Sequence, residues 1–223
     1  MRKVILTGVL FLCFLMFGIP TLTSADEGDV PKAQLPVLTT SAGQSADINT
    51  LNVILDRAKV KYDYCDVPTL ELLKSGVGLG GKKSGTGFHV TVKSDLEKFK
   101  KGTQYNTVIF AIGASLKGMG ASGLTVDQEV KRIKSLIEYC KENGIKIIAV
   151  HAGGESKRGA SGSDNERMID AVAPFADYLI IVEASNKDGR FTKIAEGKKV
   201  PLTEVKYALG IVQLMKDIFA EEE

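Results

Sequence analysis

The sequence predicts an α/β domain of three layers, flavodoxin- or Rossmann-like, on a five-stranded, mainly parallel sheet in the order 2-1-3-4-5. Three observations carry that expectation. Short apolar runs rich in Val, Ile and Leu alternate with stretches whose apolar residues recur at helical spacing. Two segments, Thr125 to Gln128 and Ser163 to Glu166, read as capping boxes that open helices. Long glycine- and serine-rich segments follow the apolar runs, where strands would hand over to helices. Adjacent parallel strands cannot be joined by a tight turn, so intervening helices imply right-handed crossovers.

The elements follow in order. Residues 35–40 read as strand one, residues 41–45 as a small-residue turn, and Ile48, Leu51, Ile54, Leu55 and Ala58 as the apolar face of a helix with Asp47 at its N-cap. Residues 60–65 make strand two and 68–74 a short helix. Residues 76–87 are glycine- and lysine-rich loop, 88–92 a short extended piece, and 94–100 one or two helical turns. Residues 107–112 form the clearest buried strand. The first capping box opens a helix with the stripe Val130, Ile133, Ile137 and Cys140, running to about Asn143 and closed by Gly144. Residues 146–150 and 178–182 are the remaining strands. The second capping box opens a helix to about Phe175, and residues 202–219, after Pro201, form the last one.

The first 25 residues have a different character. Arg2 and Lys3 precede an apolar run from Val4 to Ile19, and Thr23, Ser24 and Ala25 are small. This three-part pattern is that of a cleaved secretory signal, the run being marginally short for a membrane anchor. Cys13 lacks the preceding small residues of a lipidated cysteine. A polar leader (26–34) and one α/β domain (35–223) follow, and Cys65 and Cys140 read as separate buried thiols. The 29 basic and 27 acidic side chains nearly balance, and Trp is absent. That balance argues against a nucleic-acid partner and against membrane insertion after signal removal.

In such a sheet, ligands bind outside the carboxyl ends of the strands, where the winding reverses. Three loops are expected there: Ser41-Ala-Gly43-Gln44-Ser45, the segment 113–123 with Ser115, Lys117 and Gly118, and the segment 151–164. The last contains His151, Gly153, Gly154, Glu155, Arg158, Ser163 and Asp164. Glycines let a ligand approach the backbone, and free N–H groups at helix starts favour an anion. Lys117 and Arg158 would add full charges, and Asn186 and Asp188 hydrogen bonds from a loop beyond the last strand. No Walker or complete Gly-x-Gly-x-x-Gly pattern occurs after strand one, so no cofactor is expected. His151 and Glu155 have no third ligand at diagnostic spacing, so no metal is expected either.

Taken together, Ser41-Ala-Gly-Gln-Ser45, Lys117-Gly-Met-Gly-Ala-Ser-Gly123, His151-Ala-Gly-Gly-Glu155 with Arg158-Gly159, and Asn186-Lys-Asp188-Gly189 resemble an uncharacterised exported bacterial family, a domain of unknown function. The resemblance covers nearly the whole chain after the signal. It implies export and this layout of loops, and no activity.

The leading expectation is therefore an exported protein that binds a small anionic metabolite, a carboxylate or phosphate, and serves a membrane transport or sensing component. Two others stand beside it. Gly43-Gln44-Ser45 resembles the nucleophile segment of SGNH-type serine esterases, which points to a hydrolase with Ser45 as nucleophile and His151 as base. The late Asp-x-x-His element of those esterases is missing. A module without a pocket, binding through a flat apolar patch, is the third.

Overall fold

The computed structural model describes residues 30–85 and 90–220. The expected signal segment 1–25 with Cys13, the first residues of the expected leader (26–29) and the start of the expected extended piece at Phe88 and His89 lie outside these.

The central strand β4 (Thr107–Ile112) is buried along its length and flanked in parallel by β1 (Val37–Ala42) and β5 (Lys146–His151). Beyond β1 come β2 (Asp63–Cys65), parallel to it, and β3 (Val92–Lys93), antiparallel. Beyond β5 come β6 (Tyr178–Val182) and β7 (Leu202–Val205), both parallel. The sheet has seven strands in the order β3-β2-β1-β4-β5-β6-β7, which corrects the expected five.

Both additions escaped for physical reasons. β3 is two residues long. β7 is a half-exposed edge strand, and its residues were absorbed into a helix expected over 202–219. A parallel strand there needs a crossover, and α6 (Arg190–Lys198) supplies it by burying Phe191 and Ala195. The last helix, α7, is accordingly only Ile211–Ile218.

The period-two alternation of the strands divides the core. Ile109, Ala111, Ile148 and Val150 face a layer made by α1 (Asp47–Ala58) and α7, with Leu51, Leu55, Ile211 and Met215 buried. Val108, Phe110, Ile112, Ile147 and Ala149 face the opposite layer. That layer holds α4 (Val126–Glu142) and α5 (Asp164–Val172), contributing Ile133, Leu136, Ile137, Met168 and Ile169. Each such side chain contributes about 1.5–3 kcal/mol on leaving water. Ala33 N–H donates to the Ile218 carbonyl at 2.9 Å and Val30 packs against the core layer that holds α1 and α7, so residues 30–34 belong to the domain. Cys65 and Cys140 are buried and free.

Helix starts decide the loop geometry. Thr125 and Gln128 form the expected reciprocal box at α4. The second box does not form. Ser163 makes no capping bond to α5, because Glu166 is instead held by Arg158 and Arg190. Asp47 is the first residue of α1 and Ala46 occupies the N-cap. A short helix, α2 (Leu70–Lys74), follows β2, capped by Thr69. Residues 94–100 form turns and no helix, whereas α3 (Leu116–Ala121) lies inside the segment read as loop. No described helix is long and apolar enough to cross a membrane.

Candidate functional site

The winding reverses between β1 and β4, and the loops after β1, β4 and β5 do gather at that point. Gln44 bridges to Ala114, and the Ser115 N–H donates to the Gly43 carbonyl at 2.7 Å. The Lys157 Nζ donates to the Ala114 carbonyl at 3.3 Å, joining the loops after β4 and β5. Ser45, buried at the start of α1, donates its hydroxyl to Asp47 Oδ2 at 2.7 Å. A Cβ on Gly113 would lie 2.3 Å from that Asp47 oxygen and 2.7 Å from Ser45 Oγ, and one on Gly153 would lie 3.0 Å from Asp47 Oδ1. Asp47 thus reaches over both neighbouring loops, and only glycine leaves room for it.

The expected cradle of free amide protons is absent at the positions that join these loops. Gly43 N–H donates to Glu129 Oε1 at 2.9 Å, Gly113 to the Ala42 carbonyl at 3.0 Å, and Ala114 to Asn165 Oδ1 at 2.8 Å. Gly118 donates to Ser115 Oγ, the cap of α3, at 3.0 Å. The loops meet through their own amides, which leaves these groups nothing to offer an anion.

Arg158, expected to hold a ligand, is committed to acceptors within the protein. Its five N–H groups have five acceptors: Glu166 Oε1 and Oε2 at 2.7 and 3.3 Å, Asp188 Oδ1 and Oδ2 at 3.0 and 2.8 Å, and the Ser185 carbonyl. The guanidinium also lies 5.5 Å from the centre of the Phe191 ring. Its hydrogen bond to Asp188 raises the Arg158 pKa above its ordinary value and holds the Asp188 carboxyl down at about 2. The expected ligand contact at Asp188 is therefore an internal ion pair. Asn186 is likewise committed, to Thr192 Oγ1 at 2.7 Å, Glu204 Oε1 at 2.6 Å and the Phe191 N–H at 2.8 Å.

His151 and Ser45 do not form a dyad. The His151 Nε2 is 3.1 Å from the Lys157 carbonyl, which only accepts, so that nitrogen carries the proton. Nδ1 then accepts from the Ser185 hydroxyl at 2.7 Å. Both ring nitrogens are occupied, and burial holds the imidazole pKa below its ordinary value. Glu155 is exposed and paired with Lys187 at 2.5 Å. It does not join His151 in a metal site, and the described residues contain no group of three His, Cys, Asp or Glu side chains suited to an ion.

Of the remaining expected residues, Lys117 is exposed on α3, Gly154 is buried at the start of a 3-10 turn, and Asp164 is half-buried in the first turn of α5. Ser163 Oγ is buried without a partner. Ser41 lies near the end of β1 and Gln44 just beyond it; both are buried, each with an unpartnered oxygen.

The residues that hold this edge together were missed. Glu129, fully buried, accepts from Gly43, from Gln44 Nε2 at 3.1 Å and from Arg132 at 2.7 and 2.8 Å. Burial alone would raise its carboxyl pKa, but Arg132 and these donors hold it below the usual range. A signal existed, since Glu129 lies one turn before Ile133 on the apolar stripe of α4. The sequence marks Asp47 only as a cap and Lys157 only as part of a loop. Asp66, after β2, carried no periodic mark.

The fold and site define a doubly wound α/β protein whose β1, β4 and β5 loops meet at the switch point, with Ser45 bonded to Asp47 and Lys157 to the Ala114 carbonyl. The chain belongs to the family DUF6305, a domain of unknown function, which matches residues 34–219. No curated protein matches it. Among solved structures it is similar to a Bacteroides fragilis protein put forward as an acylhydrolase, at 12% identity and a TM-score of 0.34, covering 79% of this chain and 71% of that one. It is also similar to the YdjI aldolase of Escherichia coli K12, at 12% identity and a TM-score of 0.25, covering 82% and 73%. At these scores neither carries an argument about chemistry.

Proposed function

We propose that the protein is exported and binds a small anionic metabolite, a carboxylate or phosphate, at the switch point between β1 and β4. In this reading it passes the ligand to a membrane transport or sensing component. The observation that carries the reading is Lys157. Its ammonium has three donors, and its acceptor among the described residues is the neutral Ala114 carbonyl. It ties the loop after β5 to the loop after β4. Asp47 takes the place that an anion would have at the α1 N-terminus. The ligand's charge is therefore met by ammonium groups, Lys157 with exposed Lys117, and not by amides or Arg158.

The test is thermal unfolding of the chain with sodium acetate or sodium phosphate at constant ionic strength. A ligand at a hundred times its Kd adds about 2.7 kcal/mol of stability, a readable rise in midpoint. That rise should vanish when Lys117 and Lys157 are both replaced by Ala. An unchanged rise in the double variant, or none in the parent protein, would defeat the reading.

A further inference from the structure

A second group of polar atoms lies at the other side of the switch point, where β1 and β2 end. β2 ends at Cys65, and the next residue, Asp66, bends over the end of β1, its carbonyl accepting from the Thr40 hydroxyl, next to Ser41, at 3.3 Å. Ser41 Oγ and Asp66 Oδ1 are both buried atoms without a hydrogen-bond partner. Gln44 contributes a third such atom. Its Nε2 donates to the Asp66 carbonyl at 3.2 Å and to Glu129, which anchors the amide at Asp66 and leaves Oε1 without a donor. Ser41 is fully buried and Gln44 only 6% exposed. Gln44 is also held at a φ of 59°, in the left-handed region that non-glycine residues seldom adopt. Buried polar atoms are normally paired, and strained backbone persists where a site needs it.

The three orphan atoms share one chemistry: a carboxylate oxygen and an amide oxygen that only accept, and a hydroxyl that can. The charges nearby do not balance. Asp66 and Glu129 face one guanidinium, Arg132, which is spent on Glu129, the Ser41 carbonyl and the Pro68 carbonyl. Tyr64 is the other titratable neighbour, and its pKa is pushed up by burial and by the Asp66 carboxyl. One negative charge is left over in a largely desolvated cluster, a costly arrangement unless a positive group joins it.

We infer that Ser41 Oγ, Gln44 Oε1 and Asp66 Oδ1 receive the primary ammonium group of a small ligand, three acceptors for three N–H protons. This rests on the reading that the carboxyl edge of the sheet is the ligand-binding edge, and it narrows the ligand class to amino-bearing acids. Half-buried Asp66 marks the way in from solvent. In the empty site, burial pushes the Asp66 carboxyl up from its ordinary 3.8 to about 6, so the group is ionised and ready for a cation only above that pH.

The experiment titrates the full chain with ethylammonium chloride at about pH 8 and about pH 5. Sodium chloride and potassium chloride at equal ionic strength are the controls, and sodium acetate serves as a separate probe of Lys157. Ethylammonium should bind at the higher pH, weaken at the lower, and be lost in Asp66→Asn. Ser41→Ala should weaken it roughly tenfold, the worth of one hydrogen bond to a charged group. Asp66→Asn removes a buried charge and should fold at least as well as the parent, and its response to acetate should be intact. No binding, equal binding of sodium or potassium, or ethylammonium binding that survives Asp66→Asn would overturn the inference. Loss of the acetate response alone would overturn the anion reading and leave this site standing.

Discussion

The backbone N–H of Gly43 donates to Glu129 Oε1 at 2.9 Å, joining residues 86 apart in the chain. Through this contact the first turn of α4 holds the first loop of the sheet. The same carboxylate takes Gln44 Nε2 and both arms of Arg132, and Arg132 in turn holds the Ser41 carbonyl at 2.7 Å. The β1 loop is thus fixed by an ion pair on α4.

Glu129→Gln should destabilise the protein by about 3–5 kcal/mol, because it leaves Arg132 buried without its counter-charge. The Glu129 carboxyl has a lowered folded pKa. Its contribution is therefore fully present above the unfolded carboxylate value and lost as pH falls through the folded one. Urea unfolding of parent and variant should show a difference that is constant near neutrality and shrinks in acid. A variant as stable as the parent at neutral pH would contradict this account.

Gly113→Ala should cost about 1–3 kcal/mol, since its Cβ would meet Asp47 and Ser45 at less than contact distance. The response to acetate should fall with it, because Asp47 and Ser45 must shift. Gly120→Ala is the control. Nothing lies within 4 Å of a Cβ there, so the response should be kept and stability should hold or rise. Thermal melts with and without acetate read both effects.

His151 is neutral in the folded protein with a lowered pKa, whereas the unfolded chain takes up a proton near 6.5. Its contribution is whole above that value and declines as pH falls toward the folded pKa, by at most about 1.4 kcal/mol per pH unit. Asp66, with a raised pKa, acts in the opposite sense between 3.8 and about 6, so the slope is best measured in Asp66→Asn. His151→Asn in that background should flatten the slope. A serine-directed phosphonate should label neither the parent nor His151→Ala, since Ser45 gives its hydroxyl to Asp47 and has no bond to His151; labelling of Ser45 that requires His151 would restore the hydrolase reading.

Much of the architecture was legible in local pattern. Val108 to Ile112 could only be a strand buried on both faces, and Thr125 with Gln128 marked the start of α4, because apolar period and capping chemistry act within a few residues. Gly43, Ser115 and Gly153 were likewise placed at one edge, since topology carries strand ends together. What the sequence did not reveal was which polar partners each group would choose. Arg158 looked like a free cation until Glu166, Asp188 and the Ser185 carbonyl filled all five of its donors, and His151 looked like a base until Ser185 and Lys157 took both nitrogens. These partners come from separate segments, and the low dielectric of the packed edge rewards pairing whichever charges the fold brings within reach. Local pattern thus determined the layers and the edge, while tertiary contacts decided which atoms there remain without a partner, since burial can strand a polar group only after the chain has closed around it.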